Sequence, residues 1–590
     1  MSRRNVLLLV TAVPVVAAVA MLLATLPPVA VPLDDSAWKA GPKPVVVAGA
    51  IHVHTNRSDG AGTMDEVAAA AARAGLQFVV FGDHGDAMRT PEPPVYRHGV
   101  LCLDGVEISS SGGHYLALDM PAAPYPLAGE PRDIVEDVRR LGGFGIVAHP
   151  TSAKRALQWT DWAAPFDGLE WLNADAEWRD ERWPSLSRLP FVYLIRPAAA
   201  LASLLDRPEL ALARWDALTA RRRVVALAAA DAHGRIDIGG DSYNEGRLSP
   251  LRVPSYEASF RTFAVRAELD RPLSERQTAP LVISVDGAAD ARVVLEALRG
   301  GRVFSGIDAL ATPVRFEFTA TSGDRVARMG QTVMPTGPVR LRARTVLPPG
   351  GELVLFQDGQ VARTSTSDEL RFETEVATGV FRIEVRLAGA PGTPPIPWIV
   401  SNPIYVGPRS GEGETPPPRL QAVRTTSLYA DGDGGGWVVE KDSESRAAVS
   451  STPTVDGREL AFRYALRGAP VEGQYAALSY RFEREEDVGT VARFDRLMFR
   501  ARSSRPMRLE VQIRQPGGPD GQRWQRSVYL DETPRDLVVF FDDMRPIGRT
   551  GRRRADRAAV TAILFVVDTN HTLPATAGII WLDDVRLGGR

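Results

Sequence analysis

Ile51-His52-Val53-His54-Thr55-Asn56-Arg57-Ser58-Asp59 places two of the chain's eight histidines one residue apart. On a β-strand, side chains at i and i+2 leave the same face. His52 and His54 therefore present two imidazoles to one point at a strand end. Asp59 comes next in a polar turn closed by Gly60. Two neutral imidazoles and a carboxylate are the beginning of a metal site. An isolated H-x-H pair is more often two solvated histidines, so the flanking chain decides its meaning.

The pattern returns further along the chain. The apolar run at 78–81 reads as a strand and is followed by Asp83 and His84. Residues 101–106 lead to Glu107, and His114 opens a short strand at 115–118. Residues 146–148 lead to His149, and 224–230 to Asp231 and His233. Helical segments lie between them. Thr63-Met64-Asp65-Glu66 fits a capping box for a helix stopping at Gly75. Such alternation predicts a parallel sheet covered by helices, and a barrel fits the length. Strand ends in a barrel converge on one mouth. His52, His54, Asp59, His84, Glu107, His114, His149, Asp231 and His233 would then meet there as metal ligands. Six of the eight histidines fall in this set; His98 and His571 lie outside it.

The ordered blocks H-x-H-T…S-D-G, D-H, G-V-E…G-H, A-H-P and D-A-H resemble the polymerase and histidinol phosphatase (PHP) family over residues 45–307. Gly82 stands where that family often has Thr. The resemblance implies an α/β distorted (β/α)7 barrel, two or three divalent ions (Zn, Mn or Fe), and phosphoesterase chemistry through a metal-bound hydroxide. It also implies that His52, His54, Glu107 and Asp231 serve the most buried pair of ions. Asp59, His84, His114, His149 and His233 complete the set or serve a third ion. Asp231 and His233 are the expected catalytic residues, with His233 assisting proton transfer. Divalent ions suit this task because they neutralise an anionic ester and acidify bound water. Arg57 and Arg196 are candidate phosphate contacts. Trp159, Trp162, Trp171, Trp178 and Trp183 form either an aromatic wall over the mouth or ordinary packing.

At 590 residues the chain needs several cores. Its net charge of −2 gives no basic excess for nucleic acid. Residues 6–26 carry no charge behind Arg3 and Arg4, enough to span a bilayer and place the rest of the chain outside the cytoplasm. We expect a signal anchor or signal peptide at 1–33 and a tether at 34–44. The barrel would occupy 45–310. Period-2 strands predict two all-β domains: an Ig-like β-sandwich at 311–407 and, past a linker at 408–420, a carbohydrate-binding-like jelly roll at 421–590. Trp437, Trp524 and Tyr529 have an exposed pattern there, and the acidic turn at 431–434 is a linker or a calcium loop. The lone Cys102 excludes an intramolecular disulfide and reads as a small buried hydrophobe.

The expected protein is an exported or membrane-anchored metal-dependent phosphoesterase of the bacterial cell envelope, held in the inner membrane or released to the periplasm. Its expected partners are a small phosphorylated substrate or envelope phosphoester, a glycan on the last domain, and the membrane through its N-terminal helix. Two alternatives remain: a metal-dependent hydrolase of a non-phosphate bond, and a non-catalytic glycan-binding or scaffold protein of the envelope.

Overall fold

The computed structural model describes residues 45–179, 183–235, 252–274, 285–408, 422–430, 435–455, 457–468, 473–482, 489–517, 521–548 and 554–589, with short pieces at 23, 26–34, 36, 237–238, 247–248, 432 and 552. Most of the apolar N-terminal run, the tether, the linker and the acidic turn at 431–434 lie outside the described residues. Among the described residues, no helix is long and apolar enough to cross a membrane.

The chain divides into two compact units. The first comprises Met1–Gly85, Pro91–Pro121 and Val138–Glu412. Its strands begin with β1 (Val31–Pro32), β2 (Val45–Val53), β3 (Phe78–Phe81), β4 (Val95–Arg97), β5 (Val100–Asp104), β6 (Val106–Ser110), β7 (Gly113–Leu118), β8 (Phe144–Ala148), β9 (Gly168–Asn173) and β10 (Val225–Ala229). The short β11 (Asp237–Ile238) and β12 (Arg247–Leu248) pair with each other, and β13 (Ala264–Leu269) and β14 (Val303–Gly306) come after them.

These strands do not form the expected closed, parallel (β/α)7 barrel. They divide between two sheets. One runs β10-β9-β8-β7-β6, and the other contains β14-β13-β2-β3-β5-β4. Several neighbours are antiparallel, among them β6 with β7, β7 with β8, and β13 with β2. The two sheets touch through single bridges at Val53–Ala232 and His84–Glu107. The division falls at residue 105, inside the apolar run read from the sequence as leading straight to Glu107. A Cβ on Gly105 would lie 2.5 Å from Leu118 Cδ2 and 2.9 Å from the Phe81 carbonyl oxygen. The chain breaks there, and β5 and β6 enter different sheets.

The core lies between the sheets. Val47, Ile51, Phe78, Val80, Leu101 and Leu103 from one meet Leu116, Phe144, Ile146 and Leu227 from the other. On the opposite face of β2, Ala50 and Val53 pack against the helix Met64–Arg73. Alternation along β2 thus serves two layers. The capping box at the start of that helix is present: Glu66 N–H donates to Thr63 Oγ1 at 3.2 Å, and Thr63 N–H donates to Glu66 Oε2 at 2.8 Å. Cys102 is buried, and desolvation pushes its thiol up to about 12.

The expected separate Ig-like domain at 311–407 is also corrected. Its strand Ile399–Ser401 pairs with β14, so the large sheet runs on through 12 strands. Thr332–Val333, Glu352–Gln357, Gln360–Ser365, Gly379–Arg386 and Ile404–Val406 join that same sheet, while Phe316–Ser322, Arg325–Arg328, Val339–Thr345 and Glu369–Thr374 form a separate four-stranded sheet.

The second unit comprises Asp86–Thr90, Ala122–Asp137 and Gly413–Arg590. It is a β-sandwich of two antiparallel six-stranded sheets. Their inner faces enclose a core that includes Trp437, Trp524, Phe565 and Leu582. Trp437 and Trp524 are therefore core side chains, not the exposed aromatics the pattern predicted. Trp524 is fully buried. Tyr529 is half-buried and stacks on Tyr125, with ring centres 6.3 Å apart.

Candidate metal centre

The structure brings all nine expected ligand residues together in the first unit. Seven of them fall into three overlapping groups whose ligand atoms lie within 4.8 Å of one another: His54, Asp59, His84 and His233; His52, His54 and Glu107; His84, Glu107 and His114. His54, His84 and Glu107 each belong to two groups. Asp231 Oδ1 lies 3.2 Å from His54 Nε2 and 3.6 Å from His52 Nε2. His149 Nε2 lies 3.0 Å from Glu107 Oε1.

Simple strand alternation does not explain how His52 and His54 meet. Ile51 pairs with Val80 and Val53 with Phe81, leaving His52 as a bulge with φ +62°. The two imidazole centres end 5.0 Å apart. His149 (φ +30°) and Asp231 (φ +41°) also occupy the left-handed region. Non-glycine residues there store of order 1–3 kcal/mol of strain, a cost that concentrates at functional sites. Gly60 is required for a different reason, since a Cβ would sit 2.3 Å from the His54 carbonyl oxygen.

Several imidazoles have one nitrogen tied outward, which aims the other inward. His52 Nδ1 bonds the Glu170 carboxylate at 2.7 Å. His149 Nδ1 bonds the Leu157 carbonyl at 3.2 Å, and His233 Nδ1 the Asp231 carbonyl at 3.0 Å. Each acceptor fixes the proton on Nδ1 and leaves Nε2 as a lone-pair donor. Glu170 was not among the expected residues. It also accepts from the His149 backbone N–H at 2.7 Å and from Asn173 Nδ2 at 2.7 Å, while Asn173 Nδ2 reaches Asp231 Oδ2 at 3.0 Å. Its one signal was a charged residue inside the apolar run Gly168-Leu169-Glu170-Trp171-Leu172.

The electrostatics match a site built for cations. Burial works against every charge here, yet His233 and His54 hold the Asp59 carboxyl far below its usual range. Burial likewise opposes ionisation of Glu107 and Asp231, but the surrounding imidazoles hold both well below the usual carboxylate range. Conversely, burial alone would lower His54, but Asp59 and Asp231 bring it up to about 10. His149 rises to about 8 against burial through Glu107, and His52 rises well above its ordinary value through Asp231, Glu107 and Glu170. His114 goes the other way, because burial outweighs Glu107. The buried Nε2 atoms of His52 and His54 make no hydrogen bond. Unbonded buried imidazole nitrogens facing carboxylates fit divalent ions.

The expected phosphate contacts lie elsewhere. Arg57 is spent on Asp83 at 2.8 Å and Asp104 at 2.7 Å. Asp83 in turn accepts from Thr55 N–H and Ser58 Oγ, so the pair shapes the loop that carries Asp59. Arg196 donates to the Pro27 carbonyl and lines a cavity of about 550 Å³ beside Arg266 and Asp308. Arg235, which no motif singled out, lines the cavity of about 270 Å³ that also contains Asp231 and His233. Among the tryptophans, Trp159 and Trp171 are core residues, Trp162 packs on Phe166, and Trp178 lines that same cavity. The Trp183 side chain lies outside the described residues.

No family model and no curated protein matches the chain. Among solved structures it is similar to the family 11 carbohydrate-binding module of the cellulosomal cellulase Lic26A-Cel5E of Clostridium thermocellum. That likeness has 17% identity, 29% of this chain, 96% of that chain and a TM-score of 0.24. A family 30 carbohydrate-binding module is similar at 12% identity over 28% of this chain and all of that one, with a TM-score of 0.23. The PHP assignment drawn from the motif blocks is therefore withdrawn: no family model carries it, and the strands do not close into that barrel.

Proposed function

We propose that this chain is a metal-dependent hydrolase of phosphate esters working in the bacterial cell envelope, outside the cytoplasm. One observation carries the reading: three interlocking ligand groups share His54, His84 and Glu107 beside a cavity lined by Asp231, His233 and Arg235. A structural metal needs four closed ligands, whereas this set is larger and borders open space. The nine residues would hold two or three divalent ions (Zn, Mn or Fe). Such ions supply neutralisation of an anionic ester and acidification of water.

The chain's own groups do the rest. Arg235 stands at the cavity with its guanidinium anchored on the Asp59 and Gly60 carbonyls, where it attracts an anion. His233 serves either as a ligand or, with a proton on the Nε2 that lies 3.1 Å from Asp59 Oδ2, as the group that passes a proton to a leaving alkoxide. Water adds to phosphorus, the P–O bond to the alcohol breaks, and the alcohol leaves protonated. Glu170 and Asn173 hold His52, His149 and Asp231 in place throughout.

The test uses the full chain: metal analysis, then turnover of 4-nitrophenyl phosphate, bis(4-nitrophenyl) phosphate and 4-nitrophenyl acetate, each beside His52→Ala. Bound divalent ions and phosphoester turnover lost in the variant are expected. Turnover of the acetate alone would select a non-phosphate hydrolase. A second reading, glycan binding in the envelope without chemistry, starts from the C-terminal sandwich, a fold class that carbohydrate-binding modules also use. Retention on immobilised β-glucan with no turnover of any ester would select it.

A further inference from the structure

The cavity beside Asp231 and His233 has a mixed lining. Arg235, Asp231 and His233 supply charge. Leu189, Leu201, Leu204, Leu205, Phe263 and Trp178 supply most of the apolar wall. Asp175, Ser259 and Thr262 also line it, but each is bonded within the fold: Asp175 accepts from Trp178 and Arg179, Ser259 donates to the Ser255 carbonyl and Thr262 to the Ala258 carbonyl. A site for a small sugar phosphate or a free nucleotide would need polar groups all round to satisfy hydroxyls. Here the wall is mainly apolar.

The helix Trp183–Ile195, which contributes Leu189 and Pro190 to the cavity wall, is unusual on its outer side. Phe191, Leu194 and Ile195 are exposed, Leu194 at 81%. Soluble surfaces seldom gather large apolar side chains this way without a use for them. Directly after this helix, Arg196 grips the Pro27 carbonyl. Pro27 comes immediately after the apolar stretch 6–26. The apolar outer face and the point where that stretch joins the body are therefore adjacent.

We infer that the substrate is an amphiphile, a phosphate ester carrying an acyl or prenyl chain, drawn from a lipid surface. The chain lies along the leucine-lined wall of the cavity, and the phosphate meets Arg235 and the ligand cluster. Phe191, Leu194 and Ile195 rest on the lipid and bring the cavity mouth to it. The inference depends on the cluster being the reacting centre, as proposed above.

Two series separate the two ideas. The metal-loaded full chain is titrated calorimetrically with methyl-, butyl- and octylphosphonate, which bind without reacting. It is then assayed on methyl, butyl and octyl 4-nitrophenyl phosphate. Affinity and kcat/KM should each rise at least about tenfold from methyl to octyl, in line with about 0.8 kcal/mol per buried methylene for a few methylenes. Leu201→Trp, which narrows the cavity, should abolish that rise in both series while leaving metal content unchanged. Leu194→Ser should keep the chain-length preference in solution but lower turnover of octyl ester embedded in vesicles. Flat affinity and flat kcat/KM across both series would overturn the inference and leave the hydrolase reading intact. Graded phosphonate affinity with no turnover of any ester would keep the amphiphile site and overturn the hydrolase reading. A chain-length rise that survives Leu201→Trp would overturn the assignment of this cavity.

Discussion

Each unit of this protein buries a cluster of opposite charges, and the two clusters are made from different cations. In the first unit, imidazoles surround Asp59, Glu107 and Asp231. In the second, guanidinium groups surround carboxylates. Arg508 bonds Asp137 at 2.8 Å and Asp133 at 3.1 Å, and Arg526 bonds Asp133 and Glu136. Arg508 is buried, yet Asp133 and Asp137 drive its pKa further up. Guanidinium does not release its proton in proteins, so the second cluster is permanently neutralised and closed. Imidazole does release its proton, and the freed lone pair can take a metal ion. One cluster holds chain together; on the function proposed above, the other exchanges protons for metal ions. The sandwich face around Arg508 is occupied by the unit's own segment Ala122–Asp137.

The contrast between the clusters is most exposed at Glu107, which belongs to two ligand groups. Glu107→Gln should lower phosphoester turnover by at least about 10³-fold and remove at least one ion, as read by kinetics and metal analysis. It should leave the melting of the second unit unchanged. The mirror experiment is Arg508→Met, which removes the buried guanidinium that Asp133 and Asp137 share. It should cost about 3–5 kcal/mol in the second unit by denaturant titration, with bound metal unaltered. Loss of metal in that variant would contradict the separation of roles.

Glu170→Gln probes the outward ties of the imidazoles. It keeps the shape but weakens the hold on His52 and His149. A 10–100-fold loss of metal affinity is expected from a competitive chelator titration.

The pH dependence tests the cations themselves. His149 near 8 and His54 near 10 stay protonated in the metal-free cluster at neutral pH. Binding an ion must expel those protons, so metal affinity should rise with pH through this window, with proton release measurable in weak buffer. The metal-free chain should behave oppositely. Raised imidazoles contribute stability fully below their unfolded value of about 6.5, and that contribution fades as pH rises through about 8 and then 10. The smallest effect is outside both clusters: Thr63→Ala at the helix cap should cost about 1 kcal/mol and change neither metal content nor turnover.

The candidate cluster was legible in the chain because scarce residue types recur at successive ends of apolar runs. Six histidines in that pattern need no coordinates to be noticed. Glu170 escaped because one glutamate within a strand has no spacing partner, and its role appears only when β9 lies beside β8. The arginines escaped for the opposite reason. They are abundant, and only packing decides that Arg57 is consumed by Asp83 and Asp104 while Arg235 reaches the cavity. Trp437 and Trp524 read as surface aromatics because alternation names two faces without saying which is inside.

Residue type and local period were enough to tell which side chains can ligate, that they cluster at strand ends, where the first helix is capped, and that the last segment is all strand. Near neighbours in the chain settle such properties. Packing between distant segments decided that the strands split into two sheets at Gly105 instead of closing into one barrel. It also decided that the sheet continues past residue 311 and that His52 reaches its partners through a bulge. Each of these turns on a contact between atoms far apart in sequence: a glycine against Leu118, a strand edge against Ser401, a histidine against Glu170. Ile51-His52-Val53-His54 supplied the imidazoles, and the fold supplied the angle at which they meet.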